Sequence, residues 1–204
     1  MNEIEFSALM VSRVCHDLVG PLGAVVNGLE VLEDEHDAAM REDAIKLVTS
    51  SANQALARIQ FMRIAFGAAG SAGAELDLGE IGRLIQGLLE GGKVKLEWNV
   101  PQAYWGKDWA KLLMNATLLG ADSLPRGGVV TVDAAEGAPQ FRIVASGSVA
   151  RIHEEVERTL RGEENSSPVD ARAIQPHLTY RLSRAVNAGL SVAAREGAVE
   201  IIAG

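Results

Sequence analysis

One cysteine, Cys15, is all that 204 residues contain. A lone thiol excludes an intrachain disulfide and makes a reducing cytoplasm the natural setting. No apolar run approaches the ~20 residues that cross a bilayer, so no membrane span is expected. The opening MNEIEFSALM carries acids where a signal peptide has a basic leader. Lys and Arg form no block or stripe, and the net charge is −8, which argues against nucleic acid as a partner. His36, His153 and His177 are scattered without metal-ligand spacing. No Ser-His-Asp or paired-acid arrangement can be argued from spacing. What is present is ordinary for a globular protein: 48% hydrophobic and 23% charged residues.

The two parts of the chain differ in character. Residues 1–70 carry no strand signal. Val14, Leu18, Leu22, Val25, Leu29 and Leu32 recur at threes and fours, the stripe of a helix. Asp34, Glu35, His36 and Asp37 break it, and a second pattern runs from Ala44 to Phe66. Two helices of about 30 residues would stand about 45 Å tall at ~1.5 Å per residue. Such a hairpin cannot bury its apolar surface alone, so pairing of two hairpins into a homodimeric four-helix bundle is expected.

Residues 67–75, GAAGSAGAE, read as a linker. Residues 75–204 are expected to form an α/β sandwich. Asp77 and Glu80 cap a helix over 78–89, and KVKLEWNV (93–100) alternates as a strand. A helix through Trp109 and Leu119 follows, then strands at 129–134 and 140–145, helices at 150–161 and 174–188, and strands at 190–195 and 198–203. Gly127-Gly128 reads as a hairpin turn, too short for a phosphate loop. Trp98 and Trp109 fit core positions, Trp105 loop packing, and Cys15 a small buried hydrophobe.

His16 is the residue that can carry chemistry. At ~100° per residue it lies about 200° from Val14, outside the apolar stripe, and is exposed. Asp17 adjoins it. Pro21, flanked by Gly20 and Gly23, removes one helical hydrogen bond and predicts a kink just past the histidine. A neutral imidazole nitrogen can attack a phosphoryl group and pass it on, with Asp17 orienting the ring or acting as base. Position alone leaves the plainer alternative open, a solvated surface histidine beside a structural kink.

The string CHDLVGPLGAVVNGLEVL (15–32) resembles the phosphoacceptor box of sensor histidine kinases. More specifically, it is similar to the ChpT family of alphaproteobacterial histidine phosphotransferases, a likeness that extends over nearly the whole chain. The resemblance implies a dimeric hairpin domain followed by a degenerate kinase-type ATP-binding domain. It also implies that His16 relays phosphoryl groups from the receiver domain of a CckA-like hybrid kinase to CtrA-like and CpdR-like response regulators in cell-cycle control. Arg13, Asp17, Leu18, Val19 and Gly20 around His16 would dock the receivers, and Mg²⁺ would come from the receiver's acidic pocket.

ATP binding is not expected. In KLLMNA (111–116), a remnant of the kinase N box, Asn115 stands at the metal-amide position, but Lys111 replaces the usual polar or acidic partner. The strand 140–145 runs into Ser146-Gly147-Ser148 without the Asp-x-Gly-x-Gly of an adenine loop, and no glycine precedes the helix at 174–188. Residues 162–169 are short for a lid. What remains is a structural or docking domain, whose Arg151, Arg158, Arg161, Arg181 and Arg184 are either contacts for acidic receivers or ordinary solvated residues. An active sensor kinase and a non-catalytic receiver-binding scaffold are the rival readings.

Overall fold

The computed structural model describes residues 1–34, 36–67, 73–163, 169–171 and 173–204. The architecture is α plus α/β, as expected. Helices α1 (Glu3–Asp34) and α2 (Ala38–Ala65) form an antiparallel hairpin. Asp37 caps α2 by accepting hydrogen bonds from the Ala39 and Met40 amides at 3.0 and 3.1 Å. Glu35, part of the predicted polar break, lies outside the described residues, as do residues 68–72 of the predicted linker.

The hairpin seam is tighter than the apolar stripe suggested. On α1 the residues shielded from solvent include Val14, Leu18, Pro21, Val25, Gly28 and Leu32, at alternating spacings of four and three. On α2 they include Ala44, Val48, Ser51, Ala55, Arg58, Met62 and Ala65 at the same spacing. Gly28 sets the closest approach: a Cβ there would come within 2.6 Å of Val48 Cγ2. Leu22 and Leu29, expected inside, are exposed. They belong to a second stripe one residue further along α1, with Cys15, Val19 and Val26, and Cys15 is therefore exposed and not a buried hydrophobe. Leu56 and Ile59 continue an exposed apolar stripe on α2. By length and mean hydropathy (1.3 in its most apolar window) α1 is long and apolar enough to cross a membrane. Length and composition alone set that test, which a search for uninterrupted apolar runs does not apply. The apolar residues of α1, however, are shared between the seam with α2 and the outer stripe.

The second part is a two-layer sandwich. Strands β2 (Val94–Asn99), β4 (Gly128–Ala134), β5 (Phe141–Ser146), β7 (Ala198–Ala203) and β6 (Leu190–Arg195) form one sheet in that order, with only β2 and β4 parallel. Helices α3 (Leu78–Leu89), α4 (Lys107–Asp122), α5 (Glu154–Leu160) and α6 (Ile174–Ala185) complete it. Val130, Val132, Ile143, Val199 and Ile201 point into the core beside Leu112, Leu113 and Leu160. The alternate residues bear polar pairs such as Arg142–Glu200, the period-two division of a half-covered sheet. Asp77 caps α3 by accepting the Gly79 amide at 2.7 Å, an interaction worth ~1 kcal/mol.

Several local expectations need correction. Gly127-Gly128 is no hairpin turn: it links α4 to β4, which runs parallel to β2. Both glycines have positive φ, and a Cβ on Gly128 would meet the Ser146 carbonyl oxygen at 2.2 Å. A small antiparallel pair, β1 (Glu75–Asp77) with β3 (Tyr104–Gly106), was not foreseen, since three-residue strands carry almost no periodicity. It holds Trp105 in the core at 3% exposure, edge-on to Trp109. Helix α5 begins at Glu154, not 150, because the Arg151 amide is drawn to the Ser123 carbonyl at 2.9 Å.

A second core cements the hairpin to the sandwich. Phe61, Met62 and Ala65 of α2 pack with Ile81 and Ile85 of α3 and Ala110 and Met114 of α4. The upper part of α1 therefore stands over the end of α4, and that positions His16.

Candidate functional site

His16 projects from α1 with its side chain 55% exposed. Its Nδ1 lies 3.2 Å from Asp17 Oδ1. The other carboxylate oxygen of Asp17 accepts from Arg13 Nε at 2.8 Å, one turn earlier. Arg13 and Asp17 are both largely covered, at 14% and 15%. A carboxylate accepts and does not donate, so Nδ1 is the donor of this contact, the tautomer that in a neutral ring leaves the lone pair on Nε2. Arg13 in turn fixes Asp17, which gives an Arg–Asp–His chain along one face of the helix.

The surroundings leave space on both flanks. On one side, a cleft of about 400 Å³ separates α1 from the sandwich, reached by His16, Asp122 of α4, Arg151 and Pro176. On the other, a shallower depression of about 360 Å³ runs between α1 and α2, past Gly20, Pro21, Gln54 and Arg58. One turn beyond His16, a Cβ on Gly20 would meet nothing within 4 Å, and Val19 is 69% exposed. Pro21 is buried inside α1, which continues helical through it; the missing N–H leaves the Asp17 carbonyl without its helical donor.

The residues singled out from sequence therefore divide. His16, Val19 and Gly20 face outward. Asp17 and Arg13 sit beneath them as a pair, and Leu18 turns inward to pack against the Phe61–Met114 core. Two charged neighbours were missed. Arg58 is half-buried in the hairpin seam, and Asp122 ends α4 beside Arg13 and Asp17. Desolvation pushes the Asp122 carboxyl up to about 6, and Asp17 adds to the rise, while Arg13 and Arg58 oppose it. More than a third of Asp122's surface nevertheless meets solvent, which screens its charge.

The remnants of the kinase-type nucleotide site are engaged elsewhere. Asn115 is 0% exposed, and its amide donates to the Ala65 carbonyl at 3.1 Å and the Lys111 carbonyl at 2.9 Å. Lys111 Nζ donates to the Gly67 carbonyl, and burial holds its ammonium pKa down. Both side chains thus close the C-terminal end of α2, whose last carbonyls lack helical donors. Gln175, 1% exposed, fills the start of α6 and reaches the Asn115 carbonyl at 3.4 Å. The Gly147 amide pairs with the Gly197 carbonyl at 3.0 Å and forms no phosphate cradle. A cleft of about 470 Å³ nearby is lined by Glu154, Glu155 and Asp170, the wrong sign for a polyphosphate. These residues do not fit ATP. Among the described residues, no group of three or more His, Cys, Asp or Glu side chains could hold a metal ion.

Comparison with known proteins identifies the family. The family model described as the histidine phosphotransferase C-terminal domain matches residues 78–198. The protein phosphotransferase ChpT of Brucella abortus (strain 2308) is 36% identical over 204 residues, covering 99% of this chain and 95% of that protein. A bacterial phosphotransferase of solved structure, 33% identical, superposes with a TM-score of 0.91 and covers 100% of this chain and 98% of that one. With a family domain matched across most of the sandwich and a relative aligned from end to end, the chain belongs to the ChpT family of histidine phosphotransferases.

Proposed function

We propose that this phosphotransferase relays phosphoryl groups between receiver-domain aspartates through Nε2 of His16, without binding ATP. The observation that carries the reading is the exposed imidazole whose Nδ1 is held by Asp17 at 3.2 Å. Asp17 orients the ring and stabilises the positive charge that develops on it. Arg13 acts one step back by holding Asp17. The Nε2 lone pair attacks phosphorus in line as the acyl phosphate P–O bond breaks, and the receiver carboxylate leaves with the electron pair. The reverse step returns the group to a second receiver. Mg²⁺ belongs to the receiver's acidic pocket in this scheme, and this chain contributes no cofactor.

Receivers would dock over Val19 and Gly20, with Arg13 and Leu18 lending support from beneath. The exposed stripe of Leu22, Val26 and Leu29 with Leu56 and Ile59 supports a homodimer built as a four-helix bundle. Family membership supports receiver domains of a CckA-like hybrid kinase and of CtrA-like and CpdR-like regulators as partners in cytoplasmic cell-cycle signalling. The ATP-driven kinase alternative is disfavoured by the commitment of Asn115 to Ala65.

The test is to mix the chain with a receiver domain loaded by acetyl phosphate and follow acid-labile label. Label is expected on wild type and none on a folded His16→Ala variant. Equal labelling of that variant would rule the assignment out.

A further inference from the structure

We propose that Arg58 is a further catalytic residue, a guanidinium held in reserve for the phosphoryl group in transit on His16. The inference rests on the phosphohistidine reading above. Along α2 the residues in register with it at spacings of three and four, Ala44, Val48, Ser51, Ala55, Met62 and Ala65, are shielded and all apolar or small. An arginine among them is expensive to desolvate and needs a partner. Arg58 forms no hydrogen bond or ion pair among the described residues, and its Nε is buried without a partner. Its side chain lines the depression shared with His16, Gly20 and Pro21. It also lines the smaller cavity shared with Arg13 and Asp122.

The neighbouring cation is already committed, because Arg13 is paired with Asp17. A phosphoryl group arriving on His16 brings negative charge into a depression whose unpaired cation is Arg58. Its planar fork of N–H donors suits phosphate oxygens. As the N–P bond forms and the receiver's P–O bond breaks, charge spreads over the three non-bridging oxygens of the transferring group. Arg58 would donate to these while the Nδ1 proton stays on the ring, hydrogen-bonded to Asp17. No proton changes hands at Arg58, and the same contact serves transfer in the opposite direction.

The experiment is single-turnover transfer from an acetyl-phosphate-loaded receiver to the full chain, with receiver affinity measured separately. Arg58→Gln is expected to slow transfer about 100-fold in both directions, with receiver affinity little changed. Arg58→Lys, which keeps charge but not the fork, should lose roughly 10-fold. In Arg58→Gln combined with Asp122→Asn, transfer should stay slow. Recovery in that double variant would mean that Arg58 only neutralises Asp122, and would overturn the proposal. So would a wild-type rate in Arg58→Gln while His16→Ala stays unlabelled, an outcome that leaves the phosphohistidine reading intact. Absence of label on wild type would overturn both. Should Arg58→Gln not fold, the wild-type chain decides: the Arg58 Nε–H NMR signal, assigned with Arg58→Lys, should shift on phosphorylation of His16. A stationary signal refutes the contact.

Discussion

The side-chain amide of Asn115 donates to the main-chain carbonyl of Ala65 at 3.1 Å, across the junction between the sandwich and the hairpin. A residue that a nucleotide-binding domain would turn toward metal and phosphate here finishes a helix. Titration with ATP and Mg²⁺, followed by calorimetry, should give no saturable heat. Asn115→Ala should destabilise the fold by about 1–3 kcal/mol, because it strips buried carbonyls of their donor. Urea unfolding measures it, and tight nucleotide binding would contradict this account.

Asp17→Asn keeps the shape of the side chain but removes its charge. Arg13 then loses its ion pair, and the amide can present NH₂ instead of oxygen to His16 Nδ1. Transfer to the imidazole should fall by about 10²-fold, with the thermal midpoint nearly unchanged. Single-turnover labelling beside a melting curve separates the two effects.

Leu22→Glu with Val26→Glu places charges on the outer stripe and leaves the inner seam untouched. Sedimentation should show a dimer for wild type and a monomer for the variant, with helix content retained. A variant that remains dimeric would place the interface elsewhere.

Asp122 gives the protein a pH signature of known sign. Unfolded, its carboxyl titrates near the ordinary 3.8; folded, it holds its proton to about 6. Between those values the native state binds more protons, so this group lowers stability as pH rises through the window. Asp122→Asn should flatten that part of the stability profile and gain most above pH 6. Denaturant midpoints from pH 4 to 7 show whether it does.

Much of this was legible in the sequence. The helices, the last two strands and the exposure of His16 follow from periods of 3.6 and 2, which report which face is dry. The partners of a residue do not follow from periodicity. Arg58 reads as one more charge on a helix until α1 is laid against it, and Asp122 as a helix terminus until Arg13 and Asp17 stand over it. Cys15 and Leu22 were misplaced because two apolar stripes, one residue apart, merge into one broad band on a helical wheel. Asn115 was recognised by motif, but its present use depends on the end of α2, 50 residues earlier in the chain.

The one-residue offset between the inner and outer stripes of α1 makes the helix sensitive to reading frame. Substitutions can tune the hairpin through Val25 or Gly28 and the exposed apolar face through Val26 or Leu29, each almost without touching the other. A single inserted residue before Val14 would spare both stripes. The same insertion after Leu22 would turn every later residue by about 100° and carry Val25 and Gly28 out of the seam to where Val26 and Leu29 now stand. Lineages should therefore tolerate wide variation of side chains here, and almost none of length.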